Sequence, residues 1–174
     1  MNITVFCSAY SLDERYTEPA RKFARLVGER GHTLVWGGSD AGLMGLLADE
    51  VKAAGGRLVG VSVAFLAHKS YQGADELVTA VDLPRRKAEL LERGDALVVL
   101  VGGLGTLDEI TEVLELKKHG HHEKPVVVLD TDGFYDGLRS QLRRMDAEGF
   151  LPRPLDELVF FTDEAEQALA YLGG

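Results

Sequence analysis

The sequence predicts an α/β fold: a single domain, residues 1–174, in which a doubly wound parallel sheet lies between two layers of helices. Apolar strand-like segments alternate with amphipathic helical stretches along the chain. Several of these segments are near-continuous in Val, Leu and Ile, which is typical of strands buried on both faces. The connections are short and contain glycine, and 174 residues suffice for one domain with a full hydrophobic core.

Each predicted strand is a short apolar run, and glycine or polar residues commonly bound it. The candidate strands are Ile3–Cys7, Thr33–Trp36, Leu58–Val63, Leu77–Val81, Ala96–Leu100, Val126–Leu129 and Leu158–Phe161. The helical stretches fall between the strands. The first carries apolar residues at helical spacing, among them Phe23 and Val27. The candidate helices are Glu14–Arg30, Leu43–Ala54, Arg86–Arg93, Leu107–Lys118, Tyr135–Glu148 and Glu164–Leu172. The segment Pro152–Pro154 is interpreted as a loop before the last strand.

Charge and cysteine content narrow the class of protein. The net charge of -9 argues against a general role on nucleic acids or membrane surfaces, because both are anionic. A small anionic ligand stays compatible, since a few local donors and cations override the overall field. The single cysteine, Cys7, excludes an internal disulfide, and its apolar neighbours favour a buried structural thiol. The chain shows neither a secretory signal pattern nor an apolar run of roughly 20 residues, which predicts a cytoplasmic protein.

Three strand-to-helix junctions carry the candidate chemistry, and parallel strands would bring them to one edge of the sheet, where ligands bind. At the first junction, Ser8 either offers its hydroxyl to a phosphate or sugar or belongs to a helix cap. At the second, Gly37 and Gly38 end a strand and Gly42–Gly45 begin a helix. The spacing at this second junction matches neither the dinucleotide fingerprint nor the P-loop, which disfavours NAD or FAD.

The third junction, Gly102–Glu109, gives the strongest signal. Its glycines let the backbone approach a ligand, and the amides at a helix start bind phosphate. Glu109 follows Thr106 by about one helical turn, so a carboxylate lies beside this phosphate cradle. Arg85–Lys87 open another helix, where cations oppose the helix dipole and therefore suggest a nearby anion. Cradle, acid and cations together predict chemistry on a phosphorylated sugar.

Each of these features also has a structural interpretation. Arg85–Lys87 are compatible with a solvated basic patch, and Glu109 with a first-turn acid that the helix dipole favours. Three histidines, His119, His121 and His122, are interpreted as part of a solvated loop rather than as a metal site.

The motifs resemble those of the Lonely Guy (LOG) family, cytokinin riboside 5′-monophosphate phosphoribohydrolases that were formerly described as lysine decarboxylases. The family signature Pro-Gly-Gly-x-Gly-Thr-x-x-Glu is intact from Gly102 to Glu109, with Val101 in place of the proline. The family's upstream Arg-Lys pair matches Arg86-Lys87. Further matches are Gly42-Leu43-Met44-Gly45, the turn Ala54-Gly55-Gly56 and the strand entry Lys124-Pro125-Val126. The resemblance covers most of the chain in order.

The resemblance implies a Rossmann-like fold, a homodimer, and Arg86 and Glu109 as the catalytic pair. The implied reaction is hydrolysis of the N-glycosidic bond of a nucleoside 5′-monophosphate, of the cytokinin riboside or AMP type, to free base and ribose 5-phosphate. It needs neither a metal nor a cofactor, and no pyridoxal phosphate site for a decarboxylase is apparent. Glu109 would act as a base or stabilise the cation. The candidate substrate-binding residues are Ser8, Gly37, Gly38, Met44, Lys87, Gly102, Gly103, Leu104, Gly105, Thr106, Leu107 and Asp108.

Departures from the family pattern concern the substrate more than the reaction. Besides Val101, the first loop reads Cys-Ser-Ala-Tyr for Cys-Gly-Ser-Ser, and Ser39 stands where a third glycine is common. Glu115-Leu116 stand where plant members have Thr-Trp, and His68 falls near a plant substrate-binding Glu. Two alternatives therefore stay open: a non-catalytic carrier of a nucleotide or molybdenum cofactor, and a hydrolase of an unusual nucleotide in secondary metabolism.

Overall fold

The computed structural model describes residues 1–173, in which strands and helices alternate as expected. The strands are β1 (Asn2–Phe6), β2 (Thr33–Trp36), β3 (Arg57–Val63), β4 (Glu76–Ala80), β5 (Ala96–Val99), β6 (Val126–Leu129) and β7 (Phe160–Thr162). The helices are α1 (Glu14–Glu29), α2 (Gly42–Ala53), α3 (Leu83–Arg93), α4 (Leu104–Lys118), α5 (Asp136–Ala147), α6 (Leu155–Leu158) and α7 (Ala165–Tyr171). Two 3₁₀ turns, Ala64–Lys69 and Thr131–Gly133, follow β3 and β6.

The strands form one parallel sheet in the order β4-β3-β2-β1-β5-β6-β7. From β1 the chain builds outward to β4 on one side, and it then returns to the centre and builds outward from β5 on the other. The predicted α/β class and doubly wound parallel sheet are therefore confirmed. In such a sheet a crevice opens at the carboxyl ends of the two strands where the order reverses, which here are β1 and β5.

Side chains alternate between two buried clusters, one on each face of the sheet. Helices α1, α2 and α7 pack on one face, where Phe23, Leu47 and Leu169 meet sheet residues such as Trp36. Helices α3, α4, α5 and α6 cover the other face with the side chains Leu90, Ile110, Val113, Leu142 and Leu158. The result is the predicted three-layer arrangement, in which α3 and α4 share one face.

Several element boundaries differ from those predicted. Leu158 does not begin the last strand: it ends the short helix α6, whose start follows Pro154, and β7 begins at Phe160. Helix α3 begins at Leu83, because the Asp82 side chain accepts a hydrogen bond from the Arg85 N–H and caps it. Helix α4 begins at Leu104, directly after Gly103. None of the helices in residues 1–173 is long and apolar enough to cross a membrane.

Candidate active site

The glycine loop connects β5 to α4 at the point where the strand order reverses. Gly103 precedes the helix without a side-chain cap, so the first-turn amides of α4 are not taken up by a capping side chain. A Cβ on Gly102 would lie 2.1 Å from Thr106 Oγ1, so only glycine lets Thr106 fold over the loop. A Cβ on Gly103 or Gly105 would meet nothing within 4 Å, and the exposed loop backbone is therefore open to a ligand.

Ser8 lies at the neighbouring strand end, buried beside the same loop. Its backbone N–H donates to the Val101 carbonyl over 3.0 Å, and its Oγ accepts from the Tyr10 N–H over 3.0 Å. The cap of α1 is Asp13, whose side chain accepts from the Arg15 N–H. Ser8 therefore joins the first junction to the glycine loop and does not cap α1.

The structure brings Arg86 and Glu109 together from two adjacent helices. Arg86 Nη1 lies 3.5 Å from Glu109 Oε1, and Arg86 Nε donates to the Val61 carbonyl over 2.9 Å. Both side chains are nearly buried, at 12% and 10% exposure. Burial raises the pKa of Glu109 to about 7, although the Arg86 charge opposes that rise. Both protonation states of Glu109 are therefore populated near neutral pH.

The second glycine junction makes room for the arginine. A Cβ on Gly37 would lie 2.3 Å from Arg86 Nη2 and 3.0 Å from Met44 Sδ, so the guanidinium occupies the space that a side chain would need. Gly38 adopts a left-handed φ of 74° and packs close to the backbone of Gly60. Gly37, Gly38 and Met44 thus adjoin the catalytic candidates, as expected of a shared strand edge.

Lys87 reaches from α3 to carboxylates on α4. Its Nζ lies 2.9 Å from Asp108 Oδ2 and also pairs with Glu112. These two carboxylates flank Glu109 in sequence, and the hydrogen bonds that Lys87 donates to them raise the pKa of Lys87. The predicted role of Lys87 and Asp108 in substrate binding remains a prediction, since the two side chains here bind each other. Leu107 faces elsewhere, into an apolar groove beside Leu114 and α5.

A cavity of about 230 Å³ opens between α3 and α4, with Glu109 in its wall. Its apolar lining includes Phe6, Leu91, Val113 and Leu116, of which only Leu116 was singled out from the sequence. The spacing of Glu109, Val113 and Leu116 is a helical one, so the same face of α4 carries all three. That periodicity was the available signal for Val113; nothing in the sequence indicates that Phe6 belongs here.

Neither the thiol nor the histidines contribute obvious chemistry. Cys7 is buried, as predicted, and burial together with the Glu109 charge raises its pKa, so the thiol stays protonated. His119 pairs with Glu115 over 2.9 Å, and His122 Nε2 lies 3.0 Å from the Val113 carbonyl. No group of three or more metal-ligating side chains occurs in residues 1–173. His68 lies exposed in the 3₁₀ turn after β3.

Comparison with known proteins agrees with the motifs. The family model described as "Possible lysine decarboxylase" matches residues 44–172. The cytokinin riboside 5′-monophosphate phosphoribohydrolase of Mycobacterium marinum is 36% identical, over 96% of this chain and 90% of its own length. LOG2 of Arabidopsis thaliana, which has the same name, is 35% identical over 98% of this chain and 81% of its own length.

Solved structures share the fold at lower identity. The molybdenum cofactor binding protein of Rippkaea orientalis superposes with a TM-score of 0.78 at 20% identity, over 99% of this chain and 94% of that one. The Moco carrier protein of Chlamydomonas reinhardtii superposes with a TM-score of 0.75 at 22% identity, with the same coverage. These likenesses establish the fold alone. The identity with the phosphoribohydrolases and the match to the family model show that the chain belongs to the LOG family.

Proposed function

We propose that this protein hydrolyses the N-glycosidic bond of a nucleoside 5′-monophosphate to a free base and ribose 5-phosphate. The observation that carries the proposal is the buried contact of 3.5 Å between Arg86 and Glu109, beside a glycine loop whose helix start is uncapped. The loop supplies a phosphate site, and the pair supplies charge about one helical turn along α4 from that loop. The names of relatives at 35–36% identity support the same reaction.

The phosphate binds at the Gly102–Thr106 loop, where backbone N–H groups and the start of α4 favour an anion. The bond between C1′ and the base nitrogen then breaks, and its electron pair leaves with the base, which takes up a proton. The sugar passes through an oxocarbenium-like transition state. Ionised Glu109 stabilises that cation or removes a proton from the water whose oxygen bonds to C1′. Arg86 holds Glu109 in place and orients the substrate.

The cavity between α3 and α4 is the candidate site for the departing base. Leu91, Val113 and Leu116 in its wall offer apolar surface on which a purine ring can pack. Lys87, Glu92 and Glu112 also line the cavity and offer polar atoms to the edge of the base. Because Leu116 stands where plant members have a tryptophan, the shape of this cavity differs from theirs. We therefore place the choice of base, cytokinin or otherwise, in these residues.

The decisive assay offers purified protein a panel of purine and pyrimidine 5′-monophosphates, including AMP and isopentenyladenosine monophosphate. Chromatography should detect free base and ribose 5-phosphate in equal amounts from at least one substrate, and none from the matching nucleoside without phosphate. The absence of base release from every substrate would contradict hydrolase function. If a nucleotide or pterin is then retained tightly without turnover, the protein is a carrier.

We also propose a cytoplasmic homodimer that acts on small nucleotides rather than on nucleic acids or membranes, and that uses neither metal nor cofactor. The net charge of -9 supports this choice of partner, because phosphate polymers and anionic lipids would be repelled. Membership of the LOG family supports the dimer. Light scattering of the purified protein measures the oligomeric state directly.

Replacement of Lys87 by Met should shift the pH dependence of turnover. The Lys87 charge lowers the pKa of Glu109, whereas the neighbouring Asp108 and Glu112 charges raise it. Without the lysine the pKa of Glu109 rises, so the acidic limb of the pH–rate profile should move to higher pH. Lys118→Met, which removes a lysine paired with Glu115 over 2.6 Å, is the matched control and should leave the limb in place. A higher KM at every pH with an unmoved limb would instead place Lys87 on the phosphate.

A further inference from the structure

Strand β5 lacks a sheet partner on one side at the point where the chain leaves it for the glycine loop. Its pairing with β6 ends at Val99 opposite Val128. The next residue, Leu100, keeps its hydrogen bond to β1, since its N–H donates to the Phe6 carbonyl. On the β6 side the Leu100 carbonyl accepts from the hydroxyl of Tyr135 over 2.9 Å. A side chain thus continues the sheet where the backbone ladder has ended.

Tyr135 is itself held firmly. Its side chain is buried, and its backbone N–H donates to Asp130 Oδ1 over 2.7 Å. Phe134 packs edge-on against its ring, with the two centroids 4.9 Å apart. Asp130 directly follows β6, and its own N–H donates to the Thr162 carbonyl of β7. Tyr135 therefore connects the segment between β6 and α5 to the residue that precedes the glycine loop, through one hydrogen bond at its backbone and one at its hydroxyl.

The hydroxyl acts at the residue next to the loop. Burial raises the pKa of Tyr135, so the phenol stays protonated and donates its hydrogen bond to the Leu100 carbonyl. Leu100 directly precedes Val101 and the glycine loop. In the family signature a proline stiffens this position; here Val101 leaves φ free, and hydrogen bonds must supply the order.

We infer that Tyr135 is a positioning residue, which fixes the glycine loop in its phosphate-binding shape through its hydroxyl. The inference rests on the proposed function, because it takes that loop as the site of the 5′-phosphate. The loop binds the 5′-phosphate in the same way in the ground state and in the transition state of the reaction. A looser loop therefore weakens binding in both states and raises KM, whereas kcat changes little.

The test compares Tyr135→Phe with the unaltered protein. Phenylalanine keeps the buried ring and removes only the hydroxyl. We expect KM for the best nucleoside monophosphate to rise roughly five- to tenfold, the factor that one buried hydrogen bond is worth, with kcat within about twofold. The Kd of ribose 5-phosphate, measured by calorimetry, should rise by the same factor. This second measurement does not require turnover, so it separates failure of the inference from failure of the proposed reaction.

Thr4→Val is the matched control, because Thr4 Oγ1 donates to the Leu90 carbonyl over 2.7 Å in an equally buried setting in the middle of β1, away from the glycine loop. It should lose stability but keep the Kd of ribose 5-phosphate. If Tyr135→Phe does not fold, Asp130→Ala, which releases the Tyr135 backbone from outside the loop, should raise the same Kd. An unchanged Kd in a folded variant at Tyr135 or Asp130, or an equal rise in Thr4→Val, would overturn the inference.

Discussion

Glu109→Gln should fold normally and release base roughly 10²–10⁴ times more slowly than the unaltered protein, the usual contribution of a positioned acid or base. The amide has the shape of the carboxyl, so the packing around Arg86 Nη1 is retained, but the charge that the sugar cation needs is gone. Single-turnover chromatography of the released base measures the rate. Glu166→Gln, on α7 on the opposite face, is the control and should be fully active. Near-normal turnover by Glu109→Gln would show that the Glu109 carboxylate is neither the base nor the stabiliser of the sugar cation.

The same residue predicts how rate and stability depend on pH. Because the pKa of Glu109 is about 7 in the folded protein, activity that needs the carboxylate should rise through pH 7. Stability should move the other way. Between the ordinary glutamate pKa of 4.5 and about 7 the folded state binds more protons than the unfolded state, so the free energy of unfolding falls as pH rises. Glu109→Gln should abolish this fall and be the more stable protein at pH 8, by urea denaturation at each pH.

Arg86→Ala should lower turnover by roughly 10²–10³-fold, comparable to the loss of one electrostatic stabiliser in an active site. The substitution leaves the Glu109 carboxyl buried without its cation, so its pKa rises further and less carboxylate is present at neutral pH. Two effects therefore combine: the loss of direct stabilisation and the protonation of the partner. The pH–rate profile separates these two effects. In Arg86→Ala the acidic limb of the remaining activity should move to higher pH.

Two further variants sharpen the arginine prediction. Arg86→Lys keeps the charge, but one ammonium cannot reproduce the two directions in which the guanidinium reaches Val61 and Glu109. Compared with Arg86→Ala, we expect Arg86→Lys to return the pH–rate profile toward that of the unaltered protein but to recover little of the turnover rate. Arg85→Ala, at the adjacent position, removes an exposed cation that pairs with Glu89 and should leave turnover intact. Full activity of Arg86→Ala, or equal losses in Arg85→Ala and Arg86→Ala, would contradict the assigned role.

The sequence was sufficient for the architecture because the signals for it are local. Apolar runs mark the strands of the sheet, helical periodicity marks the longer helices, and glycines mark the three junctions that form the site. The predicted boundaries differ from the observed ones where the residue before the helix decides its start: α3 and α4 begin after Asp82 and Gly103, about one turn earlier than periodicity predicts. The short helix that ends at Leu158 was missed, because one turn of helix carries no period and its apolar residues resemble a strand.

The candidate site was predictable in its members but not in their contacts. Arg86 and Glu109 follow from motif and resemblance, whereas the packing of Gly37 against the guanidinium and the pairing of Lys87 with Asp108 depend on how helices lie beside each other. Tyr135 and Leu100 are 35 residues apart, so their hydrogen bond produces no signal in the local sequence pattern. Burial, which decides the pKa of Glu109, likewise exists only after the layers have packed.

The position of Trp36 gives this protein a built-in optical reporter. It is the single tryptophan of the chain, fully buried at the end of β2, and its next neighbour is the glycine that accommodates Arg86. Its indole N–H lies 3.4 Å from the Ser39 carbonyl, on the far side of the same junction. Indole emission is sensitive to the polarity and charge around the ring. One intrinsic signal therefore monitors both the integrity of the sheet and the order of the loop beside the guanidinium, so titrations and unfolding experiments can be followed without an added label.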